Sequence, residues 1–189
     1  MLSPADIIAE HRLGRTPHQA AIDWLGARGV PPMALARSYA GEFTFVNLDD
    51  VVFLDGGAFE FGRYCDKAEP EPALTILARD VCGDACDIVA WAANANRIAT
   101  WLGRAALLGE DELWRPRLSD GLAVHAGMLP WLQAHRCGVV ILDKLRAAPL
   151  LRETGTLMVS SMEQGRTLRK MLELPPPCIL VPASRQMAA

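Results

Sequence analysis

A chain of 189 residues, 51% of them apolar, can bury a full core and matches one domain, which excludes a disordered protein. A charged fraction of 22% and a net charge of −3 are ordinary for a soluble globular protein and exclude a densely basic nucleic-acid binder. The longest apolar runs, such as 139–142 and 179–181, fall far short of the roughly 20 residues that span a bilayer, and the opening residues lack the basic and apolar regions of a signal peptide. No membrane association and a cytoplasmic location are therefore expected.

Ser3-Pro4-Ala5-Asp6 places an N-cap, a first-turn proline and an early acid ahead of Ile7 and Ile8, predicting a short helix that ends near Gly14. Its His11, like His18, is expected at the surface. Thr16-Pro17-His18-Gln19 repeats that grammar with a capping-box glutamine and opens a second helix, with Ala20, Ala21, Trp24 and Leu25 on one face and an end near Gly29. Val30-Pro31-Pro32 forces a turn before a further helical turn or two at Met33–Ala36.

From Glu42 to Leu102 the period changes to that of strands. Phe43, Phe45 and 51–53 come first, separated by turn-forming Asn47 and Asp49-Asp50. Leu74 to Val81 and Cys86 to Trp91 read as a hairpin about Gly83-Asp84, and Asn94-Ala95-Asn96 turns the chain into a strand at Ile98–Leu102. A mostly antiparallel sheet is the expectation. Residues 103–121 read as a connection with a short helix near Glu110–Leu113.

Leu122 to Arg136 suits a helix interrupted at Pro130. Gly138–Asp143 and Thr156–Ser160 then read as buried strands, each followed by a helix. Asp143 caps the first helix, and Ser161-Met162-Glu163-Gln164 starts the second, whose apolar face is Leu168, Met171 and Leu172. Pro175-Pro176-Pro177 ends it, and Cys178–Pro182 supplies a third strand. The fold class is α+β in a single domain over 1–189: a helical part (1–40), an antiparallel sheet part (41–121) and a C-terminal βαβαβ part with neighbouring parallel strands (122–189).

Ligands in such units bind beyond the carboxyl ends of the strands. Those ends carry Asp143-Lys144, Ser160-Ser161 and Pro182-Ala183-Ser184, so no complete catalytic constellation stands there. A triad of Ser160 or Ser161 with His125 or His135 and Asp143 lacks a nucleophile elbow, and Cys137 before a buried strand reads as an inert thiol. The loop Asp55-Gly56-Gly57 lacks the ending of a P-loop, and no dinucleotide-binding glycine motif follows a strand into a helix. The five cysteines form no disulfide framework. Cys82 and Cys86 with His135 and Cys137 have the atoms for a zinc site, and the spacing alone leaves that open against cysteines that fill core gaps. The acidic stretch Asp66–Glu71 reads as an exposed linker. Catalytic residues, metal ligands and cofactors are not assigned.

The segment Ala20–Val30 resembles the opening of many phage and plasmid primase-like proteins, and Thr156–Arg166 is similar in outline to the first strand and helix of a Toprim domain. The likeness covers about a third of the chain. It departs where chemistry would be, because Ser160-Ser161 and Ala183-Ser184 stand where the family has a glutamate and an Asp-x-Asp. The resemblance therefore implies a non-catalytic relative encoded on a mobile element, since Mg²⁺ would lack its ligands.

Charge is also uneven: residues 40–90 sum to −8 and residues 136–189 to +4. Three functions follow. The favoured one is a non-catalytic accessory or binding module of a mobile-element or nucleic-acid-associated system. It would take an anionic ligand, or a protein or nucleic-acid partner, at the C-terminal strand ends, through Asp143, Lys144, Ser160, Ser161, Glu163, Arg166 and Arg169, with Arg146 and Lys170 adding charge. Alanine at Arg166 and Arg169 is expected to weaken that binding. The second is a small hydrolase or phosphoryl-transfer enzyme using Asp143, Ser160, Ser161 and Glu163. The third is a structural or assembly protein presenting Trp114, Trp131 or the Met187 tail. Oligomeric state is left open.

Overall fold

A computed structural model describes residues 2–39, 42–65, 69–114 and 121–173. Helix α1 (Pro4–Arg12) begins with a capping box, in which the Ser3 hydroxyl accepts from the Asp6 amide and the Asp6 carboxylate accepts from the Ser3 amide. Helix α2 (Gln19–Gly26) is capped by His18 rather than Thr16: the His18 Nδ1 accepts from the Ala21 amide at 3.1 Å, an imidazole lone pair taking the place of a hydroxyl. Helix α3 (Pro32–Leu35) runs directly into β1 (Ala36–Tyr39), which pairs antiparallel with β2 (Glu42–Phe45).

The expected antiparallel sheet follows, built from β3 (Asn47–Phe53), β4 (Phe59–Phe61), β5 (Glu71–Arg79), β6 (Ala85–Ala92) and β7 (Arg97–Thr100) in the order β4-β3-β5-β6-β7. Its strands alternate between two cores. Leu74, Ile76, Ala78, Val89 and Trp91 face one apolar cluster, while Ala73, Leu77, Ile88 and Ala90 face another with Ile7, Phe59 and Phe61. Asn96 takes up the left-handed conformation (φ 47°) expected of the turn before β7.

Asn47 and Asp49-Asp50, expected in a turn, lie inside β3. Tertiary hydrogen bonds override their local preference: Asn47 Nδ2 donates to the His11 carbonyl at 2.6 Å, and the Asp49 carboxylate accepts from Thr75 Oγ1 at 2.6 Å and from Arg63 at 3.0 Å. His11 is not at the surface either. It is 5% exposed and its Nε2 donates to the Thr75 carbonyl at 3.3 Å. His18 is exposed, as expected.

Burial pushes the His11 imidazole below its ordinary value of 6.5, against the opposing pull of the Thr75 carbonyl and the Asp49 carboxylate. The unfolded chain therefore takes up a proton near pH 6.5 that the folded protein still refuses. Stability from this group is complete above that pH and is lost as pH falls toward the lower folded value. The thermal midpoint is expected to drop between pH 7 and pH 5, with a flatter profile in His11→Asn; parallel profiles would remove His11 as the cause.

The C-terminal part contains β8 (Leu107–Leu108), β9 (Leu122–His125), helix α4 (Met128–Gln133), β10 (Val139–Ile141), α5 (Lys144–Glu153), β11 (Leu157–Met158) and α6 (Met162–Leu172). Its sheet has the order β11-β9-β10-β8, with β9 parallel to both β10 and β11 and with β8 antiparallel to β10. The helix expected over 122–136 is thus a strand followed by a short helix, and 103–121 holds a strand besides a 3₁₀ turn at Glu110–Glu112, where a short helix near Glu110–Leu113 was expected. Pairing on both sides makes β9 a strand. Pro130 falls in the first turn of α4, where no helical hydrogen bond is lost. The strand expected at 178–182, the prolines before it and Met187 lie outside the described residues, as do 66–68 of the acidic stretch.

Leu25 of α2, Ala34 of α3 and Met128, Trp131 and Leu132 of α4 fill the space between the two larger sheets, meeting Ile76 and Trp91 on one side and Leu108 and Val140 on the other. The far face of the C-terminal sheet is covered by α5 and α6 through Ala147, Leu151 and Leu168. Between β7 and β8 the chain is pinned by Asp87, whose fully buried carboxylate accepts from the amides of Ile88, Leu102, Arg104 and Ala105 at 2.6–3.2 Å. Among the described residues no helix is long and apolar enough to cross a membrane.

Candidate functional site

Beyond the carboxyl ends of β9 and β10 lies a cleft of about 650 Å³, the place where a parallel unit presents loops and helix starts to a ligand. Its floor is apolar, with Val124, Ala126 and Ile141 from the strand ends and Leu168 and Met171 from α6. Polar groups come from Lys144 at the start of α5 and from Ser161, Glu163, Gln164, Thr167 and Lys170 on α6, with His125 at the end of β9.

The start of α6 is tied to the sheet by one side chain. Ser161 Oγ caps the helix by accepting from the Gln164 amide at 3.1 Å, and Gln164 Oε1 accepts from both the amide and the hydroxyl of Ser160. The same amide group donates from Nε2 to the Val124 carbonyl at 2.8 Å, which fixes α6 over the strand end. Downstream, Glu163, Thr167 and Lys170 follow the helical period along the cleft face.

Four of the residues singled out from sequence for ligand binding, Lys144, Ser161, Glu163 and Lys170, come together in this cleft. Ser160 sits beside it, bonded to Gln164. Asp143 caps α5, accepting from the Leu145 and Arg146 amides at 2.9 and 3.2 Å, and lines a separate cleft of about 590 Å³ with Gly56 and Gly57. Arg146 is committed to the Gly103 and Arg104 carbonyls. Arg169 lies in a groove on another flank of α6 with Leu157 and Leu172, while Arg166 is exposed and does not line the main cleft. The sequence pointed to His125 only as a triad member and to Gln164 only as part of a helix start, and it passed over Thr167; reading 163, 167 and 170 as one helical face was the signal available.

His125 Nε2 donates to the Cys137 carbonyl at 2.8 Å, Asp143 and Ser161 are spent on helix caps and Ser160 donates to Gln164, so in the triad drawn with His125 each member has a structural partner. Trp131, considered as a surface aromatic, is buried and donates from Nε1 to the Gly138 carbonyl at 2.9 Å, whereas Trp114 is exposed. Cys86 lies on β6 with its thiol pushed up to about 12 by burial and by the neighbouring Asp87, Glu110 and Asp80 carboxylates, and Cys137 is exposed. Among the described residues no three His, Cys, Asp or Glu side chains are gathered to hold a metal ion.

Fold and site together define an α+β protein with a ligand-sized, partly apolar cleft at the carboxyl end of a short parallel unit, lined by two lysines. No protein-family model, curated protein or solved structure matches the chain.

Proposed function

We propose that the protein is a non-catalytic binding module that takes an anionic ligand or partner segment in the cleft between β9, β10 and α6. The observation that carries this is the pairing of an apolar floor with Lys144 and Lys170 in one cleft, where Glu163 is the single carboxylate among the described residues. An apolar surface beside cations suits a ligand with a flat or greasy body and a negatively charged end, such as a nucleotide within a single strand. The resemblance of 20–30 and 156–166 to primase-like proteins supports a nucleic-acid-associated role in a mobile element. Ser160-Ser161 in place of the family's glutamate after the first strand, and Ala183-Ser184 in place of its Asp-x-Asp after a later one, support binding rather than phosphoryl transfer.

The test is fluorescence anisotropy of a labelled single-stranded oligonucleotide at low salt. Binding is expected to weaken with added salt. It should fall by about tenfold or more, ~1.4 kcal/mol, in Lys144→Glu/Lys170→Glu. Alanine at Arg166 and Arg169 should then have the smaller effect; a larger loss there would move the site to the outer flank of α6 and refute the cleft. No binding at low salt would refute the reading altogether.

A further inference from the structure

The main cleft and the cleft of about 590 Å³ beside it share a wall: Ile141 and Lys144, at the two sides of the turn that joins β10 to α5, line both. The far side of the second cleft belongs to the antiparallel sheet, through Thr100 of β7 and the loop at Gly56-Gly57, which the bridge between Ala58 and Thr100 holds against that strand. Its near side is α5, where Leu145 in the first turn lines the cleft and is 88% exposed, the most exposed large apolar side chain among the described residues.

Each cleft has the size that takes one small ligand, on the order of 300–1,000 Å³. Cations stand at three places along the pair: Lys170 in the main cleft, Lys144 in the shared wall and Arg146 in the second cleft. Arg146 gives N–H groups to the Gly103 and Arg104 carbonyls, which orients the guanidinium and leaves its charge in place. Asp143, the carboxylate that lines the second cleft, accepts from the Leu145 and Arg146 amides. A ligand that fills both clefts must therefore carry a negative charge between two compact bodies, because Lys144 stands where the clefts adjoin. Two nucleosides joined by a phosphodiester have that order. A mononucleotide, with its charge at one end, does not.

Resting on the single-strand binding argued above, we propose that the strand crosses the turn between β10 and α5. One nucleotide occupies the main cleft, the next lies in the second cleft against Leu145, and the phosphate that joins them meets Lys144. The protein thereby selects oligonucleotides over mononucleotides, since the second nucleotide adds contact area at a small further cost in freedom once the first is held.

The experiment uses the whole chain at low salt and measures how unlabelled competitors displace a labelled oligothymidylate. Thymidine monophosphate should compete about tenfold or more weakly than the dinucleotide pTpT, and further lengthening should add less than that first step. Leu145→Glu places a carboxylate in the second cleft at an exposed position where a helix start favours an acid. It should flatten the series, bringing pTpT toward the monophosphate. If the monophosphate competes as well as pTpT while the labelled strand still binds, the ligand ends inside the main cleft; the crossing is then wrong and the binding function stands. A loss in Leu145→Glu shared equally by both competitors, or no loss at all, would overturn the crossing in the same way. Failure of the labelled strand to bind would remove the function and the crossing together.

Discussion

An Asp87→Ala variant is expected to lose at least about 4 kcal/mol of folding stability, a large part of the total for a domain of this size. Asp87 sits on β6 with no exposed surface, and each carboxylate oxygen accepts two main-chain hydrogen bonds: Oδ1 from Ile88 and Leu102, Oδ2 from Arg104 and Ala105. These donors include the segment that leaves β7 and enters β8, so one side chain holds the passage from the antiparallel sheet to the C-terminal sheet. Hydrogen bonds to a charged acceptor are worth roughly 1.5–3 kcal/mol each, and although they do not add fully, alanine leaves buried amides with no acceptor. Asparagine keeps the shape but turns an NH₂ group toward two amide donors, so it should recover less than half of the loss. Urea unfolding followed by far-UV circular dichroism reads this directly as a lower midpoint. A midpoint within about 1 kcal/mol of the unaltered protein would show that water replaces the carboxylate.

Asp87 was invisible to sequence reading because an aspartate within an alternating strand carries no sign of what its carboxylate will meet. The strands themselves were legible. Residues 74–81 and 86–91 alternate cleanly about Gly83-Asp84, and Asn94-Ala95-Asn96 has the chemistry of its turn; these become β5, β6 and the turn before β7. The helix starts at Ser3, Asp143 and Ser161 were legible for the same reason, since capping is local. What failed depended on distant partners. Val124, Met128, Trp131 and Leu132 fit a helical spacing, and only β10 and β11 on its two sides make 122–125 a strand. His11 follows Ile7 by one helical turn on the buried face of α1, a spacing that did hold the answer. At the site, the strand ends located Lys144, Ser161 and Glu163 and the charge count included Lys170, but lumping Arg166 and Arg169 with them ignored the helical period that sends Thr167, beside Lys170, to the cleft instead.

The floor of that cleft depends on how closely β9 and β10 approach, and Gly138 controls the approach. It has φ 81° immediately before β10, and a Cβ placed there would overlap the Ala123 carbonyl oxygen and lie 2.9 Å from the Ala123 Cβ. Both obstacles belong to β9, so relief requires the paired strands to separate, and the carbonyl of Gly138 also anchors Trp131 Nε1. Gly155, after the end of α5, provides the control: its φ is 79°, yet nothing lies within 4 Å of an added Cβ. Gly155→Ala should therefore cost only the left-handed strain, about 1–2 kcal/mol. Gly138→Ala should cost that strain together with the clash, about 3–5 kcal/mol in all. Because the displaced strands carry Val124 and Ile141, Gly138→Ala should also weaken ligand capture in the cleft under conditions where the variant is still folded, whereas Gly155→Ala should leave it intact. Equal losses of stability in the two variants would mean that β9 yields freely to the added methyl, and the close pairing of the strands would then not be what shapes the cleft.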